Sequence, residues 1–365
     1  MLAARVTNLK ESRDNTMSIL KGIGIVLVVL GHSGCPELLR QWIYCFHMPL
    51  FFLASGWFFK EKNISTPLLY TKRKVNDIYV KFVIWSIVFL VLHNFLFKLY
   101  LTGQDEGIYS VGDYLVRIPK IIFLMSGYDM ALLGVFWFLR VLLVGCVATA
   151  VGSFLICKVT HVSENQGIII NTLLFCLMAG CIALFDIRIP GMASYGYREC
   201  MGVAFVGGGY IINKYNIAKI PIVVPIILFV LLAIIHPTEM YQDSDFFDWI
   251  VVIITGASGF IITYRLSLLL NNSKVKWLSD VLIYIGNHTF IIFSLHFLSF
   301  KLVSLIKIYI YGYDINRLIS HPVITDNNEY FWMAYLVVGV VLPLLVSFMY
   351  NKLGKTLQAR EFSRR

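Results

Sequence analysis

The sequence predicts an all-α polytopic membrane protein with about ten transmembrane helices and both termini in the cytoplasm. Three observations support this fold class: the composition, the lengths of the apolar runs and the distribution of positive charge. Of the 365 residues, 58% are hydrophobic and 14% are charged, and the mean hydropathy is +0.75. An average soluble domain is about 45–50% apolar and about 25% charged. The composition therefore excludes a disordered chain, a fibrous protein and an ordinary cytosolic enzyme.

Ten apolar runs approach the roughly 20 helical residues that cross the hydrocarbon layer. They are residues 17–34, 42–59, 79–101, 131–156, 167–187, 198–213, 220–236, 247–270, 281–306 and 331–350. No stretch between them is long and polar enough for a soluble domain. Residues 1–365 are therefore predicted to form one integral-membrane domain, with a cytoplasmic arm at 1–16 and a basic cytoplasmic tail at 351–365. Residues 111–126 are too polar to span, and their helical periodicity predicts a helix along the membrane surface.

Positive charge orients the spans, because cytoplasmic loops carry an excess of Lys and Arg. With the N-terminus in the cytoplasm, the cytoplasmic segments and span ends carry 21 Lys and Arg, and the external ones carry 9. An even number of spans then places the C-terminus in the cytoplasm as well. The formal net charge of +10 therefore indicates topology, and the hydropathy makes nucleic acid a poor candidate for a partner.

The cysteine pattern predicts no metal site. The seven cysteines are Cys35, Cys45, Cys146, Cys157, Cys176, Cys181 and Cys200. Most lie inside apolar runs, and none forms a CxxC pair or stands beside histidines at zinc-binding spacing. We therefore expect them to be small buried hydrophobic side chains.

The first span places two ionisable residues on one helix face. Lys21 and His32 are eleven residues apart, which brings them within about 20° of the same face and about 16 Å apart along the axis. That distance is comparable to an extended pantetheine arm, so a phosphate-bearing carrier held at Lys21 can present a thioester to His32. The alternative is that Lys21 snorkels to the inner interface and His32 caps the helix.

A second histidine enters from the same side of the membrane. His47 begins the second span and is joined to the first span by a short connection. Two helices joined by a short loop are typically antiparallel neighbours. We therefore expect His32 and His47 to face one cavity in the outer leaflet, with Phe51 and Phe52 packing against lipid or the core.

Three weaker candidates also carry charge or an imidazole. Arg140, in the middle of the fourth span, needs an anionic or polar partner, which is either the carrier or a structural ion pair. His296, deep in the ninth span, is either a site residue or a hydrogen-bonded core histidine. Arg73, between Lys72 and Lys74, can bind phosphates or anionic lipid.

Four motifs follow one another along the chain. They are Lys21-x10-His32, FHMPLFFLASG from Phe46 to Gly56, WFL from Trp137 to Leu139 and IGNHTFIIFSLHF from Ile285 to Phe297. In this order they resemble the acyltransferase 3 family of integral-membrane acyltransferases, over residues 13 to 350. The FHMPLFF form resembles the branch of fucose 4-O-acetylase-like and surface-polysaccharide O-acetyltransferases.

The resemblance implies an O-acetyltransferase in the bacterial inner membrane. Acetyl-CoA would be the donor substrate, with no permanently bound cofactor, and the acceptor would be a hydroxyl of a surface polysaccharide or its lipid-linked sugar precursor. His32 and His47 would be catalytic, with His32 as general base or acyl acceptor, since histidine titrates near pH 6.5 and a sugar hydroxyl needs a base. The residues expected to bind acyl-CoA or substrate are Lys21, Arg73, Trp137, Arg140 and His296.

Two alternative functions fit the same sequence. A transporter or flippase for a glycan intermediate would also have many spans, a glycine-rich span and intramembrane cations. However, no inverted repeat of the kind common in transporters is evident, and flipping does not require the shared face of Lys21 and His32. The second alternative keeps the enzyme but changes the acyl group, for example to succinyl, or uses an acceptor that is not a glycan.

Overall fold

The computed structural model describes residues 15–103, 107–126, 130–189, 195–241 and 243–362, with side chains described as far as residue 352. Within these ranges the chain is helical and has no β-strand. The all-α fold class is therefore confirmed. The acidic residue Asp14 and the basic residues of the N-terminal arm lie outside the described ranges.

The helices are numbered here in chain order. They are α1 (Asn15–His32), α2 (Glu37–Tyr44), α3 (His47–Trp57), α4 (Lys62–Ser65), α5 (Pro67–Lys74), α6 (Val80–Lys98), α7 (Val111–Leu124), α8 (Trp137–Thr160), α9 (Glu164–Phe185), α10 (Tyr197–Lys214), α11 (Val223–Ile235), α12 (Phe246–Asn272), α13 (Lys276–Asn287), α14 (Thr289–Tyr311) and α15 (Phe331–Phe362). A π-helical turn (Val75–Tyr79) joins α5 to α6, and 3₁₀ turns occupy Ala131–Phe136, Ile217–Lys219 and Ile315–Ile319.

Seven helical segments in the described residues are long and apolar enough to cross a membrane. They are Asn15–His32, Pro67–Lys98, Ala131–Thr160, Glu164–Phe185, Phe246–Asn272, Thr289–Tyr311 and Phe331–Lys352. Each overlaps one of the ten predicted spans. The other three predicted spans correspond to α3, α10 and α11, which are too short or too polar by the same measure. The count of ten and the orientation of the bundle remain predictions.

Two predicted spans are broken in the structure. The run 42–59 is divided between α2, which ends at Tyr44, and α3, which begins at His47. Pro49 accounts for the new start, because proline lacks the N–H that a preceding helical turn would need and fits best near a helix N-terminus. The run 281–306 is likewise divided, at His288, between α13 and α14.

Although it is short, α3 lies inside the bundle against the glycine-rich helix α10. A Cβ atom at Gly56 would overlap the Val206 carbonyl oxygen, and one at Gly209 would overlap the Leu53 carbonyl oxygen. Glycine therefore allows the two backbones to touch. Close helix packing is a common role of glycine in membrane proteins, and it is the role that the structure shows for these two residues.

At the centre of the bundle is α1, which contacts α2, α3, α12, α13, α14 and α15. Its approach to α13 again depends on glycine, since a Cβ at Gly286 would overlap the carbonyl oxygen of Ser18. The protein thus buries the helix that carries Lys21 and His32 on nearly all sides. The end of the bundle near Lys21 is here called the Lys21 end, and the end near His32 is called the His32 end.

The segment predicted to lie on the membrane surface is the helix α7. Ser110 and Asp113 form a capping box at its start, which stabilises a helix N-terminus. Several of its apolar side chains are exposed: Val111, Leu115, Val116, Ile118, Phe123 and Leu124. The helical prediction is confirmed, and the exposed apolar face is the face that would contact lipid.

The cysteines are free, but they are not uniformly buried. Cys181 is exposed on α9, and Cys157 and Cys176 are half-buried. The expectation of burial is therefore wrong for Cys181. Its side chain belongs to a helix that is apolar enough to span a membrane, where an exposed thiol would face lipid.

Candidate active site

The His32 end of the bundle contains a cavity of about 280 Å³, here called the His32 cavity. It is lined by Val28, His32, Tyr44, His47, Met48, Gly134, Val135, Trp137, Arg198, Glu239, Tyr241, Phe293, Phe297, His321 and Pro322. The expectation that His32 and His47 share one cavity is therefore confirmed. The structure also adds Trp137 to the same lining.

The hydrogen bonds of Tyr44 favour one tautomer of His32. The Tyr44 hydroxyl lies 3.1 Å from Nδ1 of His32 and donates to the Gly31 carbonyl oxygen at 3.2 Å. When the hydroxyl proton is directed to Gly31, the phenol oxygen accepts from Nδ1–H of His32, and both hydrogen bonds are made. A neutral His32 in this arrangement has its lone pair on Nε2, which is the atom that can take a proton or attack a carbonyl.

His47 and His296 have the same tautomer for a different reason. Nδ1 of His47 lies 3.0 Å from the Ile43 carbonyl oxygen, and Nδ1 of His296 lies 2.9 Å from that of Phe293. Since a carbonyl oxygen only accepts, each Nδ1 must carry a proton, and each neutral ring has a lone pair on Nε2. Both side chains are buried, and Nε2 of His296 has no hydrogen-bond partner among the described residues.

His296 lies directly behind His32 without lining the cavity. The two rings stack, with their centroids 5.7 Å apart and an interplanar angle of 30°. The Phe297 ring packs against both of them. The structure therefore brings the three predicted site histidines, His32, His47 and His296, into one cluster.

One part of the cavity lining, here called the aromatic wall, combines the rings of Trp137 and Tyr241 with the charged residues Arg198 and Glu239. The Arg198 guanidinium lies 4.0 Å from the centre of the Trp137 ring and 5.5 Å from that of Tyr241, as in a cation–π contact. Its Nε donates to the Met240 carbonyl oxygen at 2.9 Å. Desolvation raises the pKa of Glu239, which also lines this wall, although the charge of Arg198 opposes the shift.

A second cavity, of about 300 Å³, opens towards the Lys21 end and is here called the Lys21 cavity. It is lined by Lys21, Ile25, Val28, Met48, Phe51, Ala54, Ser55, Phe58, Asp77, Ile78, Phe138, Leu139, Leu142, Thr289, Phe290 and Phe293. Most of these side chains are apolar. Val28, Met48 and Phe293 line both this cavity and the His32 cavity, so the two adjoin through a shared wall.

A third cavity, of about 260 Å³, continues the series beyond Lys21 and is here called the basic mouth. Its lining residues are Phe58, Lys60, Lys62, Asn63, Tyr70, Arg73, Lys74 and Asp77. Phe58 and Asp77 belong to the Lys21 cavity as well. The four cations include Arg73, whose guanidinium lies 5.9 Å from the Tyr70 ring centre. The three cavities thus form a row from a cationic surface to His32.

Arg140 is placed apart from this row. Its guanidinium lies 3.7 Å from a Glu199 carboxylate oxygen, and the two side chains are only 15% and 3% exposed. It lines none of the three cavities. The structure therefore supplies the anionic partner that a buried arginine needs, and this partner is an internal one.

Sequence reasoning missed five polar residues of the His32 cavity: Tyr44, Arg198, Glu239, Tyr241 and His321. Tyr44 lies three residues before His47, but its contact with His32 depends on the bend between α2 and α3. Arg198 stands at the polar start of a predicted span, which is the one signal that could have singled it out. Among the described residues, no cluster of three or more His, Cys, Asp or Glu could hold a metal ion.

The sequence model of the acyltransferase 3 family, described as an acyltransferase domain, matches residues 14–352. The match covers most of the chain and includes every cavity-lining residue named above. No curated protein and no solved structure matches the chain.

Proposed function

The chain belongs to the acyltransferase 3 family, and from this premise we propose that it is an O-acetyltransferase. It would move an acetyl group from acetyl-CoA to a hydroxyl of a cell-surface polysaccharide or its lipid-linked sugar precursor. Membership of the family and the seven candidate spans support a membrane acyltransferase. The donor, the acceptor and a bacterial inner-membrane location are part of the proposal.

The observation that carries the proposal is the row of three cavities. CoA has phosphate groups at one end and a thioester at the other, joined by a narrow pantetheine arm. The basic mouth offers four cations for the phosphates, and Lys21 lies in the next cavity. The rise of about 16 Å from Lys21 to His32 then lets the arm pass through the Lys21 cavity and present the thioester in the His32 cavity.

The chemistry proposed at His32 is a proton transfer coupled to acyl transfer. Nε2 takes the proton of the acceptor hydroxyl, the hydroxyl oxygen forms a bond to the thioester carbonyl carbon, and the carbon–sulfur bond breaks. The CoA thiolate that leaves takes the proton back from Nε2. A positioned general base typically contributes about 10²–10⁴-fold to the rate. The free Nε2 serves equally well as a nucleophile that carries the acetyl group for a time.

The aromatic wall suits a sugar acceptor. Trp137 and Tyr241 present aromatic rings, and Arg198 and Glu239 bring hydrogen-bonding groups to the same cavity. Ligand pockets typically combine such apolar surfaces with a few placed polar groups. His47 lines the same cavity, and its Nε2 is proposed to orient either the acceptor or His32.

The decisive experiment is mass analysis of the surface glycan from strains that carry the wild-type gene, no gene, or the His32→Ala variant. We expect the glycan of the wild-type strain to be heavier by about 42 mass units for each acetyl group that replaces a hydroxyl hydrogen. The glycans of the other two strains should show no such increase. His288→Ala is the matched control, because His288 is half-buried, packs against the Tyr284 ring, donates from Nδ1 to the Tyr284 carbonyl oxygen and lines none of the three cavities.

The other outcomes are equally informative. His47→Ala should lower acetylation, with a larger residual level if His47 only orients the acceptor. A mass shift of a different size would identify another acyl group and keep the mechanism. An unchanged acylation pattern without the gene would reject the proposed acetyltransferase and favour a transporter. Wild-type acetylation by a well-expressed His32→Ala variant would reject the role proposed for His32.

A further inference from the structure

Two lysines of α14 are buried inside the protein. Lys301 is 2% exposed and Lys307 is fully buried, although α14 is otherwise apolar enough to span a membrane. A buried ammonium group needs partners for its N–H donors, because an unpaired buried charge is costly. Both lysines find carbonyl and amide oxygens in the loop that joins α14 to α15.

Lys301 holds the first part of this loop. Its Nζ donates to the carbonyl oxygens of Leu318 at 2.8 Å and Ser320 at 2.9 Å. These residues end the 3₁₀ turn Ile315–Ile319, where unpaired carbonyls favour a cation. The next residue, His321, lines the His32 cavity, so Lys301 anchors the loop immediately before it contributes to the site.

Lys307 holds the second part and is connected to α1 through Asn328. Its Nζ donates to the Ile324 carbonyl oxygen at 2.8 Å and to Oδ1 of Asn328 at 3.2 Å. Nδ2 of Asn328 donates to the carbonyl oxygens of Gly34 at 2.9 Å and Ser33 at 3.4 Å. Ammonium groups only donate and carbonyl oxygens only accept, so this set of partners fixes the orientation of the amide.

The two accepting carbonyls belong to the residues that directly follow His32. Gly34 adopts a left-handed conformation, with φ of 73°, and a Cβ there would overlap Nδ2 of Asn328. The amide of Asn328 therefore fits closely against the chain as it leaves α1. A side chain 294 residues away in the sequence supports the end of the helix that carries His32.

We propose that Lys307 and Asn328 are positioning residues, which fix the C-terminal end of α1 and thereby the place of His32 in its cavity. Asn328 is the link: it accepts from Lys307 with one atom of its amide and donates to the turn after His32 with the other. The catalytic consequence rests on the function proposed above for His32. The structural consequence, a turn held closed at residues 33–35, does not depend on it.

The variant that separates the two halves of the link is Asn328→Asp. A carboxylate still accepts from Lys307, now with opposite charge, but it cannot donate to Gly34. Asn327→Asp is the matched control, because it makes the same change one residue earlier, where the amide donates to the Tyr313 hydroxyl instead. In the full-length protein in membranes, we expect Asn328→Asp to retain its unfolding temperature and its KM for acetyl-CoA. Its kcat should fall on the order of 10- to 100-fold, as misplacement of a catalytic group does.

Cys35 provides a readout that does not need enzyme activity. Cys35 is 6% exposed and directly follows Gly34 in the turn that Asn328 supports, so its alkylation rate, measured on the Cys35 peptide by mass spectrometry, reports opening of the turn. Faster alkylation in Asn328→Asp than in Asn327→Asp, together with the lower kcat, supports the proposal. Wild-type kcat, or unchanged alkylation, overturns it. If the wild type transfers no acetyl group, the function proposed above fails, and the alkylation rates alone decide whether the turn is held by Asn328.

Discussion

Lys21 is the residue where the proposed donor site is easiest to test. It lies between the basic mouth and the His32 cavity and shares the Lys21 cavity with Asp77. Arginine keeps the positive charge that phosphates require, whereas alanine removes it. We expect Lys21→Arg to keep substantial activity and Lys21→Ala to raise the KM for acetyl-CoA, in steady-state assays on membranes with matched protein levels. Full activity of Lys21→Ala with an unchanged KM would exclude this role.

At the same scale, the sequence predicts some contacts of the site and misses others for a physical reason. His32 and His47 are close along the chain and bracket a short connection, so their shared cavity follows from local geometry. The partner of Arg140 does not, because Glu199 belongs to a helix that meets α8 only in the folded bundle. Asn328 is further still from His32 in sequence, and a single asparagine in a loop carries no periodicity that would reveal its partner.

At the scale of elements, the contact between α3 and α10 depends on individual glycines. A Cβ at Gly209 would overlap the Leu53 backbone carbonyl, whereas one at Gly208 would make an ordinary contact, 3.5 Å from a Leu53 methyl carbon. We expect Gly209→Ala to destabilise the protein by about 1–3 kcal/mol, the usual cost of overpacking. Gly208→Ala should be close to neutral. Thermal unfolding in detergent measures the stability of both variants. Equal unfolding temperatures would contradict the prediction, because they would show that α3 and α10 accommodate the added methyl group without losing stability.

The apolar runs predict the long helices of the bundle better than they predict α3. A run of apolar residues shows which part of the chain can form a buried helix. Seven such segments among the described residues are long and apolar enough to cross a membrane. The apolar pattern does not show where a run bends, and the break before His47 depends on Pro49 and on packing against α10. The burial of α3 depends on tertiary contacts, since α10 packs along it and Asn213 of α10 donates to the Trp57 carbonyl oxygen at its end.

At the scale of the whole molecule, the orientation of the bundle decides the direction of acyl transfer. The 21-to-9 division of Lys and Arg predicts that the Lys21 end faces the cytoplasm. Reporter fusions after about residue 40 and after about residue 240, chosen by the positive-inside rule, should therefore read as external. Cytoplasmic signals at both positions would show that the bundle has the opposite orientation. Acetyl-CoA from the cytoplasm would then meet the His32 end first.

The wall between the Lys21 cavity and the His32 cavity has a consequence for the membrane as an electrical insulator. A protein hollowed from both ends brings two water-accessible spaces close together inside the bilayer, where an open junction would leak ions. Val28, Met48 and Phe293 form the junction, and all three are apolar. A narrow apolar constriction excludes water and so resists the passage of hydrated ions. The same three side chains that a pantetheine arm would part under the proposed function would thus preserve the transmembrane potential while the donor site is empty.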